Sequence, residues 1–269
     1  MSSPLPERGI DRLLGVVDHL RGEGGCPWDR EQTLETLKPY LIEECYEVLD
    51  ALDEGDPQHH AEELGDVLLQ VALHARIRSE EQAFTFDDVA HGIADKLIHR
   101  HPHVFGDVKV ADTQEVLANW EKLKADEKGG QSILAGIPRH LPALQKAQRL
   151  QSRAARVGFD WADIRDVLAK IDEELAETRE AMQGADPDHV AEELGDLLFS
   201  VVNLARFVNV NAEEALRQTC DKFIRRFKGV EARVTESGRT LQECDLAEMD
   251  AHWNAIKVDE KAARPASGE

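Results

Sequence analysis

Apolar side chains recur along this chain at the spacing of a helix, and the period-two alternation of a strand is nearly absent. Ile10, Leu13, Leu14 and Val17 fall on one helical face, as do Leu68, Val71, Ala72 and Ala75. The pattern predicts helices over residues 8–21, 33–54, 57–80, 86–100 and 113–127 in the first half of the chain. In the second half it predicts 143–156, 163–183, 187–209, 212–236 and 245–258. The expected fold class is therefore all-α.

The punctuation between helices repeats. Asp56-Pro57 and Asp186-Pro187 each place a side-chain acceptor before a proline at the first helical position, where the missing N–H leaves nothing unsatisfied. Gly55 and Gly184 stand where the preceding helix should stop. Each half is thus expected to contain an antiparallel helix hairpin with a short turn. The segment KADEKGGQ from Lys124 to Gln131 has the charged, glycine-containing composition of a linker. The resulting division is an N-terminal unit over 8–128, a linker over 129–142 and a C-terminal unit over 143–258, with flexible tails at 1–7 and 259–269.

The repeat reaches individual residues. Ala-Glu-Glu-Leu-Gly-Asp occurs at Ala61 to Asp66 and again at Ala191 to Asp196, a constant offset of 130 that also relates Glu44 to Glu174 and Glu47 to Glu177. Residues three or four apart share a helical face, so Glu174 and Glu177 project together, as do Glu193 and Asp196. In an antiparallel hairpin the two pairs can meet at one level. Four carboxylates brought that close repel one another unless something positive sits among them, and an all-oxygen set suits Mg²⁺ or Mn²⁺. A di-iron bundle would carry Glu-x-x-His, whereas the last residue of each set here is Asp. Gly65 and Gly195 lie inside the predicted helices, where glycine costs about 1 kcal/mol relative to alanine. Their placement suggests a close backbone approach or room for a bulky ligand.

Charge narrows the partners. There are 53 acidic against 32 basic residues, a formal net charge of −21, which opposes general nucleic-acid binding. A small anion can still bind where metal ions and local cations reverse the sign. No apolar run approaches the roughly 20 residues that span a bilayer, and the four cysteines have no metal-ligand spacing. A cytoplasmic protein with reduced thiols is expected, with no membrane partner and with Cys45 packed in the core.

Cations and aromatics follow each hairpin in matching register. Asp95-Lys96-Leu97-Ile98-His99-Arg100 corresponds to Asp221-Lys222-Phe223-Ile224-Arg225-Arg226, and Trp120 with Lys124 corresponds to Trp253 with Lys257. Lys222 and Arg226 lie four apart and present two cations from one face. Beside a carboxylate-held metal, that arrangement suits a triphosphate. Trp253 offers a surface on which a nucleobase can stack, or a core tryptophan. His101 and His103, in HRHPHVFGD, have no counterpart in the second half and are read as turn-forming surface residues.

With these residues in place the chain resembles the MazG family of bacterial nucleoside triphosphate pyrophosphohydrolases. The matching motifs are the E-E-x-x-E and E-x-x-D clusters of both halves, CPWD at Cys26 to Asp29 and HPHVF at His101 to Phe105. VGFDW at Val157 to Trp161, the Lys222 to Arg226 segment and Trp253 match as well. The resemblance implies two tandem helical units in a homodimer, and Mg²⁺-dependent cleavage of nucleoside triphosphates to monophosphate and pyrophosphate. By residue, it implies that Glu174, Glu177, Glu193 and Asp196 bind the metal, and that Lys170, Lys222, Arg225, Arg226 and Trp253 hold the nucleotide alongside Glu174. The C-terminal unit is the expected catalyst. His189 stands where the family often has lysine. In the first half, Glu44, Glu47, Glu63 and Asp66 are retained, but Tyr40 replaces Lys170 and His99 replaces Arg225, so a weaker phosphate grip is expected there.

The proposed chemistry is in-line attack of water on the α-phosphorus, with Glu173 or Glu192 as the spare carboxylate acting as general base. Readings from other classes are a non-catalytic acidic helical module that docks a basic partner or buffers metal, and a di-iron oxidase. A nearer alternative keeps the chemistry and narrows the substrate to deoxyuridine triphosphate or phosphoribosyl-ATP.

Overall fold

A computed structural model describes residues 8–126, 132–184 and 186–263, and among them there are helices and turns but no strand. The chain divides into two compact units between Gly130 and Gln131.

Unit 1 contains α1 (Gly9–Arg21), α2 (Pro27–Glu31), α3 (Leu34–Glu54), α4 (Pro57–Glu80), α5 (Phe86–Arg100), α6 (Pro102–Phe105) and α7 (Thr113–Asp126). The α3–α4 hairpin is its backbone. Its N-terminus is set by Thr33, whose hydroxyl accepts from the N–H of Thr36 at 3.3 Å. The turn is closed by Gly55 at φ 73°, a left-handed conformation that glycine adopts without strain, and by Asp56, whose carboxylate accepts from Gln58 N at 2.9 Å. The apolar faces read from the sequence meet here: Val17 of α1, Leu37 of α3 and Ala72, Leu73 and Ile77 of α4 form one buried cluster, flanked by Leu13, Leu14, Leu34 and Leu69.

Unit 2 contains α8 (Ala143–Ala155), α9 (Ile164–Ala181), α10 (Pro187–Phe207), α11 (Ala212–Glu236), a 3-10 turn at Leu241–Glu243 and α12 (Leu246–Ala263). The hairpin motif recurs as α9–α10, with Asp186 accepting from Asp188 N at 3.0 Å. Val167, Val202, Val230 and Val234 are buried to 1% exposure. At Gly229, α11 packs closely against α12. A Cβ there would lie 2.9 Å from the Ile256 side chain.

Four sequence expectations are corrected. Cys45 is exposed rather than packed in a core. A Cβ on Gly65 or Gly195 would meet nothing within 4 Å, so the close backbone approach is absent and the space beyond each glycine is open. HPHVF is a single helical turn, α6, started by Pro102 at its first position. The helix α12 continues through 259–263, where a flexible tail was expected. Ion pairs hold that last stretch, because Asp259 binds Arg233 at 2.6 Å and Glu260 binds Arg226 at 2.8 Å. The expected tail at 1–7 and residues 129–131 of the expected linker lie outside the described residues. The rest of that linker is irregular, and Arg153 holds its backbone by donating to Ile133 O at 3.2 Å and Ala135 O at 2.6 Å.

Leu37 is 1% exposed within the unit 1 cluster, so Leu37→Ala should lower the stability of that unit by about 2–5 kcal/mol. Urea unfolding followed by circular dichroism measures this, and an unchanged midpoint would contradict the assigned core.

Candidate active site

The α9–α10 hairpin brings three of the four predicted metal ligands together. One carboxylate oxygen each from Glu174, Glu177 and Glu193 lies within 4.8 Å of the other two. Glu174 and Glu177 are one turn apart on α9, and Glu193 faces them from the first half of α10. Glu174 is buried, Glu193 half-buried and Glu177 exposed, so the cluster opens to solvent on one side. Asp196 is not in this close set. It lies one turn further along α10 and, with Lys170 and Glu174, lines an adjoining cavity of about 600 Å³.

Electrostatics at the cluster follow from its crowding. Loss of hydration and the charge of Glu174 beside it push Glu177 above the ordinary carboxylate value. Lys170 partly compensates, with Nζ 2.7 Å from Glu173 Oε1 and 2.8 Å from Glu174 Oε1. These bonds raise the Lys170 pKa, so the ammonium stays charged throughout the working range. His189, whose side chain is about half exposed, stands 3.5 Å from Glu193.

Unit 1 repeats the arrangement with different members. One carboxylate oxygen each from Glu44, Glu63 and Asp66 lies within 4.8 Å of the other two, while Glu47 is joined to the set through Glu44. Partial burial, Glu47 and Asp66 raise the Glu44 pKa. The buried Gln70 donates to Glu44 at 3.4 Å. His59, the counterpart of His189, bridges Glu54 at 2.7 Å and Glu63 at 3.0 Å. Tyr40, which stands where unit 2 has Lys170, packs edge-on against Trp28 of the CPWD motif, their ring centroids 6.4 Å apart. Among the described residues no lysine or arginine is paired with Glu44 as Lys170 is with Glu174.

The predicted phosphate and base contacts form a separate group on α11 and α12. Glu260 holds Arg225 at 3.0 Å and Arg226 at 2.8 Å, and the Arg226 guanidinium lies 5.7 Å from the Trp253 ring centroid. Phe223 packs against the same ring at 5.2 Å. Lys222 makes no ion pair among the described residues. None of Lys222, Arg225, Arg226 and Trp253 lines the cavity beside the carboxylates. Glu173 and Glu192 are both exposed, and Glu173 is bound by Lys170.

Sequence reasoning missed three features. Glu260 lay in a segment dismissed as a tail on its polar composition. Gln70 and its bond to Glu44 gave no motif. Arg206 donates to Asp160 of VGFDW at 3.0 Å and to Asn203 at 2.8 and 3.0 Å, tying that loop to α10. Only the recurrence of Arg76 and Arg206 at the repeat offset hinted at a shared anchoring role.

Three hard carboxylates converging between two helices, with the Glu177 carboxyl raised above its ordinary value, fit a divalent metal of the Mg²⁺ type. The described residues thus form an all-helical fold with a carboxylate cluster in each unit. The MazG nucleotide pyrophosphohydrolase domain matches residues 32–105 and 163–231. The chain is 48% identical over 257 residues to the nucleoside triphosphate pyrophosphohydrolase/pyrophosphatase MazG of Thermotoga maritima, covering 94% of this chain and 98% of that one. It is 47% identical over 257 residues to the nucleoside triphosphate pyrophosphohydrolase of Escherichia coli K12, covering 93% and 98%. An uncharacterized Bacillus subtilis protein, YabN, is 51% identical over 249 residues, which span 91% of this chain and 51% of that one. The chain belongs to the MazG nucleotide pyrophosphohydrolase family. No described helix is long and apolar enough to cross a membrane.

A metal must displace protons from this cluster. Because the Glu177 carboxyl is raised, proton competition sets in at a higher pH than for an ordinary glutamate. Mn²⁺ affinity should therefore fall as pH drops through a range above the usual carboxylate value, and Glu177→Gln should weaken binding and flatten that dependence. Calorimetric titration across pH tests this. An affinity independent of both pH and Glu177 would contradict it.

Proposed function

We propose that the protein hydrolyses nucleoside triphosphates at the α-phosphorus, releasing nucleoside monophosphate and pyrophosphate, with unit 2 as the main catalytic unit. The observation that carries the reading is the convergence of Glu174, Glu177 and Glu193 beside a cavity lined by Lys170 and Asp196. The names of the Thermotoga and Escherichia coli relatives describe the same reaction.

Glu174, Glu177 and Glu193 would hold Mg²⁺, or Mn²⁺ in its place, with Asp196 completing the set. When bound, the metal neutralises phosphate charge and makes water more acidic. Lys170 keeps its charge and meets a phosphate oxygen at the cavity edge. Glu173 or Glu192 accepts the proton of the attacking water. The P–O bond to the β-phosphate then breaks, and pyrophosphate leaves. Lys222, Arg225 and Arg226 bind the leaving phosphates, with His189 as a further contact and Trp253 against the nucleoside. Arg225 and Arg226 must exchange Glu260 for phosphate when substrate arrives.

The exposed apolar surface supports a homodimer. Leu194, Leu198, Val201 and Phe199 on α10 and Leu168 on α9 are each 44–51% exposed, a face that a second copy would cover. A broad substrate range and a housecleaning role over the nucleotide pool suit a site built from carboxylates and cations rather than base-reading loops. The alternative readings predict stoichiometric metal binding without turnover, or turnover of a single nucleotide.

Purified protein with Mg²⁺ and a panel of nucleoside triphosphates should yield monophosphate and pyrophosphate on ion-exchange chromatography. Orthophosphate with diphosphate nucleotide would reject the assigned bond. Glu193→Gln should reduce kcat by at least about 100-fold, whereas Glu63→Gln should leave most activity, and the reverse ranking would move catalysis to unit 1. Glu260→Gln should lower KM by freeing Arg225 and Arg226. A raised KM would show that Glu260 positions those arginines instead of competing with substrate.

A further inference from the structure

The cavity beside the carboxylates is walled in two ways. Lys170 and Glu174 reach it from α9, Asp196 from α10 and Ala154 from α8, and helix packing holds these side chains in place. The remaining wall comes from two segments outside any helix, Gly158 to Trp161 and a turn that contributes Leu134. Irregular segments open at lower cost than packed helices, so a wall built from one depends on its anchors. Arg206 anchors the first segment through the Asp160 carboxylate, at 3.0 Å. The second is anchored differently.

Residues 132–136 form a tight turn ahead of α8. Ala135 N donates to Ser132 O at 2.8 Å and Leu134 N to Ser132 Oγ at 3.3 Å. Gly136 ends the turn at φ 76°, a left-handed value that suits glycine. Ile133 and Leu134 are 48% and 41% exposed, so burial of their own side chains does little to hold the turn down. Arg153, on α8, does that instead. Its Nη1 donates to Ile133 O at 3.2 Å and to Ala135 O at 2.6 Å, bracketing Leu134. Hydrogen bonds from a charged donor are roughly twice as strong as neutral ones. Both acceptors are main-chain carbonyls, so the anchor occupies no side chain of the turn and leaves Leu134 to the cavity. Arg153 itself does not line the cavity, and it can act there only through the turn.

We propose that the 132–136 turn is a required wall of the substrate cavity and that Arg153 is a positioning residue for the reaction, holding Leu134 against the bound triphosphate. The inference rests on the hydrolase reading above and deepens it, adding a residue that touches neither metal nor substrate. With Arg153 in place the turn is ordered before substrate arrives. Without it, binding has to supply that ordering, which weakens binding. The chemistry at Glu174, Glu177 and Glu193 is untouched, so the effect falls on KM and spares kcat.

Steady-state kinetics of the full chain test this with Arg153→Gln, Arg153→Lys and Leu134→Ala, while calorimetric Mn²⁺ titration reports on the carboxylate cluster in each. Ordering one residue on binding corresponds to roughly 10-fold in affinity. Arg153→Gln should therefore raise KM for nucleoside triphosphates about 10-fold, with kcat within about twofold. Arg153→Lys, which keeps a charged donor, should recover part of the loss. Leu134→Ala should raise KM about 5-fold through lost apolar contact, with the anchor intact. Mn²⁺ affinity should be unchanged in all three. An unchanged KM in Arg153→Gln would overturn the inference, as would weakened Mn²⁺ binding, which would mark a general structural effect. If Arg153→Gln does not fold, Leu134→Ala decides in its place by the same criteria. Hydrogen exchange at the Leu134 and Ala135 amides gives a second readout. Mg²⁺ with an α,β-imido nucleoside triphosphate should slow it in the wild type. If the wild type cleaves no triphosphate, the hydrolase reading fails instead, and the turn is judged by this exchange alone. Slowing by the imido nucleotide would support the wall, and exchange indifferent to it would overturn the inference.

Discussion

Everything in unit 2 depends on the mutual repulsion of carboxylates that the α9–α10 hairpin forces together. Glu174, Glu177 and Glu193 share a few ångströms, and Lys170 reaches into the set at 2.8 Å from Glu174. At such distances like charges repel one another strongly unless a cation lies among them. Helix packing therefore holds a charge distribution that is incomplete without a cation. Under the proposed function, that demand for positive charge would couple the fold to metal-bound polyphosphates in preference to bare ones.

The rest of the site is arranged around that demand. Lys170 is charged at all working pH values because its carboxylate partners hold its proton, so it contributes a fixed attraction for phosphate. Arg225 and Arg226 are balanced by Glu260 rather than left exposed as a pair, which limits their attraction for anions that bring no metal. The anchored VGFDW loop keeps an aromatic wall open beside the cluster through the Arg206–Asp160 pair. Unit 1 keeps the carboxylates but lacks the lysine. Under the proposed function, the halves would differ in phosphate grip rather than in metal ligation.

Much of this was legible in the sequence because it rests on local rules. The i,i+3 spacing put Glu174 with Glu177, and the duplicated register put Glu193 opposite them. The Asp-Pro dipeptides marked both hairpin turns, and helices longer than ten residues were placed to within about three residues at most ends. The failures are tertiary. Whether Asp196 joins the three glutamates depends on side-chain reach at one turn's remove, which spacing does not contain. Glu260 was lost because a polar C-terminal stretch looks unstructured until its arginine partners on α11 are known. Cys45 was assigned to a core because thiols are usually buried, yet its face of α3 is one that the packing within unit 1 leaves open.

The central claim is that the three glutamates place a divalent cation against the α-phosphate of a bound triphosphate. Mn²⁺-induced broadening of the ³¹P resonances of an α,β-imido nucleoside triphosphate, bound to the full chain, measures that contact directly. The account predicts strong α-phosphorus broadening in the wild type, lost when Glu174, Glu177 and Glu193 are replaced by glutamine. Broadening that survives those replacements would contradict it.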